Sequence, residues 1–119
     1  MKIVSTTLLS LLTLGNKKVV AMALWPVIIF KDQASANNLV VLNHEKIHHR
    51  QQLELLIIPY YIWYFIEYWV GMFGNKFNHQ VAYMAISFER EAFANQGNFH
   101  YLGTRKWLNS WPFFKARFK

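Results

Sequence analysis

The sequence predicts a mainly α-helical single domain of the α+β class, with a short β strand or hairpin ahead of its central helix. Three observations predict it. Residues Leu39 to Ile58 contain no Gly or Pro and are rich in helix formers from Glu45 onward. Val19 to Phe30 is instead β-branched and aromatic, interrupted by Pro26. The chain of 119 residues is long enough for one modest core but not for two, so residues 1–119 form one domain.

The elements follow in order. Met1 to Leu14 holds one lysine and then an apolar run sprinkled with Ser and Thr. That run is too short to cross roughly 30 Å of hydrocarbon, so an interfacial or packed helix is expected. The apolar N-terminal segment 1–16 resembles a signal-peptide core, but no clear small-x-small cleavage site precedes Asn16-Lys17-Lys18, and it is expected to be retained. Val19 to Phe30 reads as one extended strand or two short ones, with Pro26 suiting an edge. Gln33 to Asn38 is a polar loop, and Asn37 or Asn38 can cap the next helix. That helix, Leu39 to Ile58, should end or kink near Pro59.

Leu55 to Phe73 has a single charge, Glu67. Tyr60, Tyr64, Glu67 and Tyr68 recur at helical spacing, whereas Ile58, Ile62, Phe65 and Trp69 lie on other faces. One face toward protein and another toward lipid fits that pattern. A further helix is expected from about His79 to Gln96, with Gly97 as a left-handed C-cap. The tail 101–119 mixes Arg105, Lys106, Lys115, Arg117 and Lys119 with Trp107, Trp111, Phe113, Phe114 and Phe118. Basic and aromatic residues together suit a lipid headgroup region.

Composition narrows the function classes. Hydrophobic residues make up 54% of the chain, aromatic residues 18% and charged residues only 16%. A domain this small does not easily bury so much apolar surface. Thirteen Lys and Arg against six Asp and Glu give a net charge of +7. With these aromatics the expected partner is an anionic membrane surface, and with no recognised motif beside the charge nucleic acid is not expected. Cysteine is absent. Disulfides, thiolate zinc sites and cysteine nucleophiles are thereby excluded, and any metal must use His and carboxylate ligands.

His44-Glu45-Lys46-Ile47-His48 is the H-E-x-x-H pattern, placed inside a predicted helix as the motif requires. Residues four apart lie about 40° apart around a helix, so both imidazoles can bind one tetrahedral metal from one face. Glu45 flanks that face. Its carboxylate can reach an attacking water, accept its proton and return it to a leaving amine. Zinc in that position would bring a water's pKa toward roughly 7.

Glu67, His79, Glu89, Glu91 and His100 are candidates for a third ligand. Glu89 and Glu91 sit about 200° apart around one helix, so they cannot both face the metal. Glu89 has Ala85, Ile86, Ala92 and Phe93 as helical neighbours, a small apolar face on which another helix can pack closely. A carboxylate there is costly unless paired or metal-bound. Glu91, among Ser87, Phe88, Ala94 and Asn95, reads as a residue supporting the ligands or as solvated. The expected ligands are His44, His48 and Glu89.

His44-Glu45-x-x-His48 followed by Phe88-Glu89-Arg90-Glu91-Ala92 resembles the glu-zincin metallopeptidases, in which a downstream helical Glu completes the zinc site. Their E-x-x-A/S-D element, as in thermolysin and in the CAAX prenyl protease and HtpX groups, aligns with Glu89 and Ala92. The short length is similar to that of the minigluzincins. The chain also resembles small bacterial membrane-associated proteins carrying N-H-E-K-I-H and S-F-E-R-E-A. The resemblance covers about half the chain. It implies a zincin-like helical core, a Zn2+ cofactor, a peptide or protein substrate, endopeptidase activity with Glu45 as catalytic base, and a place at the bacterial cytoplasmic membrane. One position departs from it: Phe93 stands where the family has an Asp that orients a zinc histidine. Glu91, Asn95 or a main-chain carbonyl is then expected to supply that hydrogen bond.

His79, Tyr83, His100 and Tyr101 are candidates to stabilise a developing oxyanion. Glu67 is either functional or paired with Arg90 or a tyrosine hydroxyl. His49, about 100° from His48, is a solvated or hydrogen-bonded histidine, and Arg50, Gln51 and Gln52 read as polar helix surface. The principal alternative is a non-catalytic, zinc-stabilised membrane-associated protein, which would need a fourth protein ligand. A di-iron carboxylate bundle would need a second E-x-x-H element, which the sequence lacks.

Overall fold

Three short strands and eight helices make up the residues that the computed structural model describes, 2–13 and 19–117. The Asn16-Lys17-Lys18 boundary, Phe118 and Lys119 lie outside the described residues, as do the side chains of Lys115 and Arg117. The chain is mainly helical with one small sheet before the motif helix, as expected.

The apolar N-terminal run does not form a single helix. Lys2–Val4 is a strand, β1, and Thr6–Leu12 a helix, α1. Ser5 makes the switch: its N–H donates to Phe30 O at 3.0 Å, and its hydroxyl accepts from Leu8 N at 3.1 Å as an N-cap. The expected β element is a hairpin of β2 (Ala21–Leu24) and β3 (Val27–Phe30). β3 is central, antiparallel to β2 with Ala23 opposite Ile28, and parallel to β1 with Lys2 opposite Ile28. Trp25 and Pro26, joined by a cis peptide, form the turn. Pro26 therefore sits where no ladder donor is needed rather than within an edge strand.

Gln33–Asn37, expected as a loop, is a short helix, α2, because Asp32 caps it by accepting from Ser35 N at 2.8 Å. Asn38 caps the motif helix α3 (Leu39–Leu55), accepting from Val40 N and Val41 N. α3 stops three residues earlier than expected. Leu56 adopts a left-handed φ of 62°, and the chain turns through 111° into α4 (Ile57–Gly74). Pro59 falls in the first turn of α4, where backbone N–H groups lack intrahelical partners, so it breaks nothing.

On α4, Tyr60 and Glu67 are buried and Tyr64 and Tyr68 half-buried, while Ile58, Ile62, Phe65 and Trp69 are exposed. This is the two-faced helix that the spacing predicts. Gly71 allows α5 (His79–Ala85) to approach closely, since a Cβ there would lie 3.0 Å from Ala82 Cα. The single helix expected over 79–96 is broken at Ile86, after which α6 runs from Ser87 to Asn95. Glu67 causes the break. Its carboxylate accepts from Ser87 N at 3.2 Å and Ser87 Oγ at 2.6 Å, as well as from Trp63 Nε1 at 2.9 Å. The left-handed cap expected at Gly97 is not formed either. Asn43 of α3 instead donates to the carbonyls of Gln96 at 2.8 Å and Asn98 at 3.0 Å, satisfying the end of α6 from outside. The C-terminal segment folds back through α7 (Tyr101–Thr104) and α8 (Trp111–Arg117). Among the described residues, no single helix is long and apolar enough to cross a membrane.

Candidate metal centre

The site rests on the packing of α3 against α6. Ile47, fully buried, meets Ala92 and Tyr101. The small Ala92 side chain lets the helix axes approach, and Glu89, three residues earlier on the same face, then reaches the histidines. Glu89 Oε1 lies 3.1 Å from His44 Nε2 and 3.0 Å from His48 Nε2, and the two Nε2 atoms are 3.1 Å apart. The three predicted ligands thus meet at one point, all buried, and they are the group able to hold a metal among the described residues. Tetrahedral zinc at roughly 2.0–2.1 Å from its ligands needs them roughly 3.3 Å apart, so a small expansion of this triangle admits it.

The hydrogen bonds behind the ligands decide what the triangle attracts. Gln51 Nε2 donates to Phe88 O at 3.1 Å and Glu91 Oε1 at 3.0 Å, which fixes the orientation of its amide. Gln51 Oε1 therefore faces His48 Nδ1, at 2.8 Å, and Nδ1–H must donate. Gln96 Oε1 stands in the same relation to His44 Nδ1 at 2.8 Å. Each neutral imidazole then turns a bare Nε2 lone pair toward the other and toward a carboxylate oxygen. Three acceptors in contact repel unless a proton or metal cation lies between them. The donor set fits zinc.

Electrostatics agree. Burial opposes charge on His48, but the Glu89 carboxylate, with Glu45 beyond it, outweighs burial and pushes its pKa up to about 9. Burial acts against ionised Glu89 as well, yet the two imidazoles hold it well below the usual carboxylate range. Glu89 Oε2 accepts from Tyr64 OH at 2.7 Å, leaving Oε1 to face the two imidazoles. Glu45, on the β2 side of the same helix, is buried and stands outside the ligand triangle. Burial raises its pKa, partly offset by His48, His44 and a hydrogen bond from the main chain of Ala23. A raised carboxylate beside two imidazoles is suited to receive a proton.

The remaining candidates separate. Tyr83 lies within reach of Glu89, and burial together with that carboxylate keeps its phenol protonated. His79 stacks behind Tyr83 with ring centroids 6.2 Å apart and bonds Tyr68 OH at 2.6 Å, one layer from the ligands. His100 is exposed at the start of α7 and has no place at the site. Tyr101 donates to Glu91 rather than facing the triangle. His49 is hydrogen-bonded, as expected, to Val27 O at 3.0 Å. Comparison of the chain with family models, with curated proteins and with solved structures gives no match. Geometry alone therefore carries the functional reading.

Two corrections concern glutamines. Gln51 and Gln52, expected on the helix surface, are buried. Gln51 orients His48. Gln52 bridges the outer edge of β2, donating to Ala23 O at 3.0 Å and accepting from Trp25 N at 2.8 Å. Phe93 packs edge-on to the His44 ring with centroids 4.5 Å apart, while Gln96 provides the hydrogen bond that Glu91, Asn95 or a main-chain carbonyl was expected to provide. The missed signals were spacing: Gln51 is one turn beyond His48, and Gln96 is two turns beyond Glu89. Glu91 connects to His48 through Gln51. It is fully buried, and Arg105, Tyr101 and Ser110 complete its shell at 2.5, 2.6 and 2.8 Å.

Proposed function

We propose that the chain is a zinc-dependent endopeptidase that works at a membrane surface, with His44, His48 and Glu89 as ligands and Glu45 as general base. The convergence of three oriented acceptors at 3.0–3.1 Å is the observation that carries this reading. Zinc bound there would polarise a scissile carbonyl and acidify a water. Glu45 takes the proton of the attacking water and returns it to the leaving amine. Gln51 and Gln96 hold each imidazole in the tautomer that presents Nε2, and the Tyr64 phenol steadies Glu89. Tyr83, a neutral phenol bonded to Glu89, would be the donor to a developing oxyanion. Three protein ligands support catalysis, because structural zinc takes four.

The depth of the site favours a second reading, zinc as a staple of the fold. His44, Glu45, His48 and Glu89 are each only 4–7% exposed. The two readings part at Glu45. Zinc content and hydrolysis of a mixed peptide library are to be measured on wild type, Glu45→Gln and Glu89→Ala. The peptidase reading expects Glu45→Gln to keep zinc and lose hydrolysis, and Glu89→Ala to bind zinc far more weakly. Full hydrolysis by Glu45→Gln would remove the mechanism.

A further inference from the structure

A cavity of about 560 Å³ lies between the end of α3, Trp63 of α4, the start of α6 and the segment 106–114. That volume is within the roughly 300–1,000 Å³ usual for small-molecule sites. Its walls are Trp63, Phe88, Leu108 and Phe114. The polar groups on its lining are engaged elsewhere. Ser87 Oγ donates to Glu67, Ser110 Oγ donates to Glu91, and Glu54 Oε2 accepts from Arg105 and from Leu108 N. An occupant meets hydrocarbon and aromatic surface along its length.

The rim differs from the walls. Trp107 is 67% and Trp111 54% exposed, and the exposed Lys106 adds a positive charge to the same lining. Leu108 is held at φ 57°, a left-handed backbone that favours glycine, by its N–H to Glu54. That conformation keeps an apolar side chain at the cavity wall where a glycine would leave none. An apolar lining, two exposed indoles and one ammonium match a molecule with one long hydrocarbon chain and one anionic end.

We propose that this cavity binds the acyl chain of a free fatty acid, with the carboxylate at Lys106. The site does not depend on the metal reading. Tryptophan fluorescence of the full chain is to be titrated with monomeric 9,10-dibromostearate, whose bromines quench nearby indoles. Saturable quenching with one equivalent is expected. Leu108→Glu should weaken it by roughly tenfold or more, since it sets a carboxylate against the acyl chain in place of apolar lining, while Phe73→Glu, on the exposed end of α4, should leave it unchanged. Should Leu108→Glu not fold, Lys106→Gln decides the question: it should reduce the preference for the acid over the neutral dibromostearyl alcohol. Quenching that never saturates, equal weakening by Leu108→Glu and Phe73→Glu, an unchanged acid preference in Lys106→Gln, or quenching only by brominated chains within phosphatidylglycerol vesicles would each overturn the proposal.

Discussion

His48 Nε2 sits at 3.0 Å from Glu89 Oε1 and 3.1 Å from His44 Nε2, so one cation, proton or metal, must occupy the space they share. In the metal-free protein that cation is the proton on His48, whose pKa is raised from 6.5 to about 9. Its stabilisation is complete below pH 6.5 and is lost as pH rises through about 9. Two outcomes follow over that window. The Tm of the metal-free protein falls, and zinc affinity rises by about tenfold per pH unit because binding must release the proton. Calorimetry at several pH values checks both, and a zinc affinity flat across the window would contradict the shared position. At this scale the histidines, Glu45 and Glu89 were legible, because a four-residue spacing and the small Ala92 face are local facts. The glutamines were not. A glutamine is buried only when its amide finds hydrogen-bond partners, and those of Gln51 and Gln52 include acceptors at Glu91 and Ala23 and the donating N–H of Trp25, 27 to 40 residues away in sequence.

Between elements, one hydrogen-bonded line joins α3 to α6 and to the C-terminal segment. It runs from His48 through Gln51 to Glu91 and on to Arg105, which also pairs with Glu54 at 2.5 Å. Replacing Gln51 removes the acceptor that fixes the His48 tautomer. Gln51→Leu should therefore weaken zinc binding by roughly 10–100-fold. Competition with a chromophoric chelator measures this, and wild-type affinity would show that the line is packing alone. Element boundaries were less legible than element types for a related reason. Nothing near Ile86 in the sequence breaks a helix. The break comes from Glu67 on α4, which takes the Ser87 N–H that a continuous helix would keep for itself. Likewise Asn43, not Gly97, finishes α6.

Over the whole molecule, part of the apolar excess that composition revealed lies on α4, where Ile58, Ile62, Phe65, Ile66, Trp69 and Phe73 are exposed along successive turns. The net charge of +7 adds attraction to an anionic surface. The chain is expected to float with phosphatidylglycerol vesicles more than with phosphatidylcholine vesicles, to be released partly by salt, and to lose binding when Phe65 and Trp69 are both replaced by Glu. Equal flotation of that double variant would move the contact elsewhere. These surface properties bear on access, whereas metal binding rests on the triangle of donors. X-ray absorption at the zinc edge of the loaded protein reads that triangle directly. Two imidazole nitrogens and one carboxylate oxygen at roughly 2.0–2.2 Å, with one further light ligand, are predicted. A shell holding fewer than two imidazoles, or a protein that retains no zinc, would contradict it.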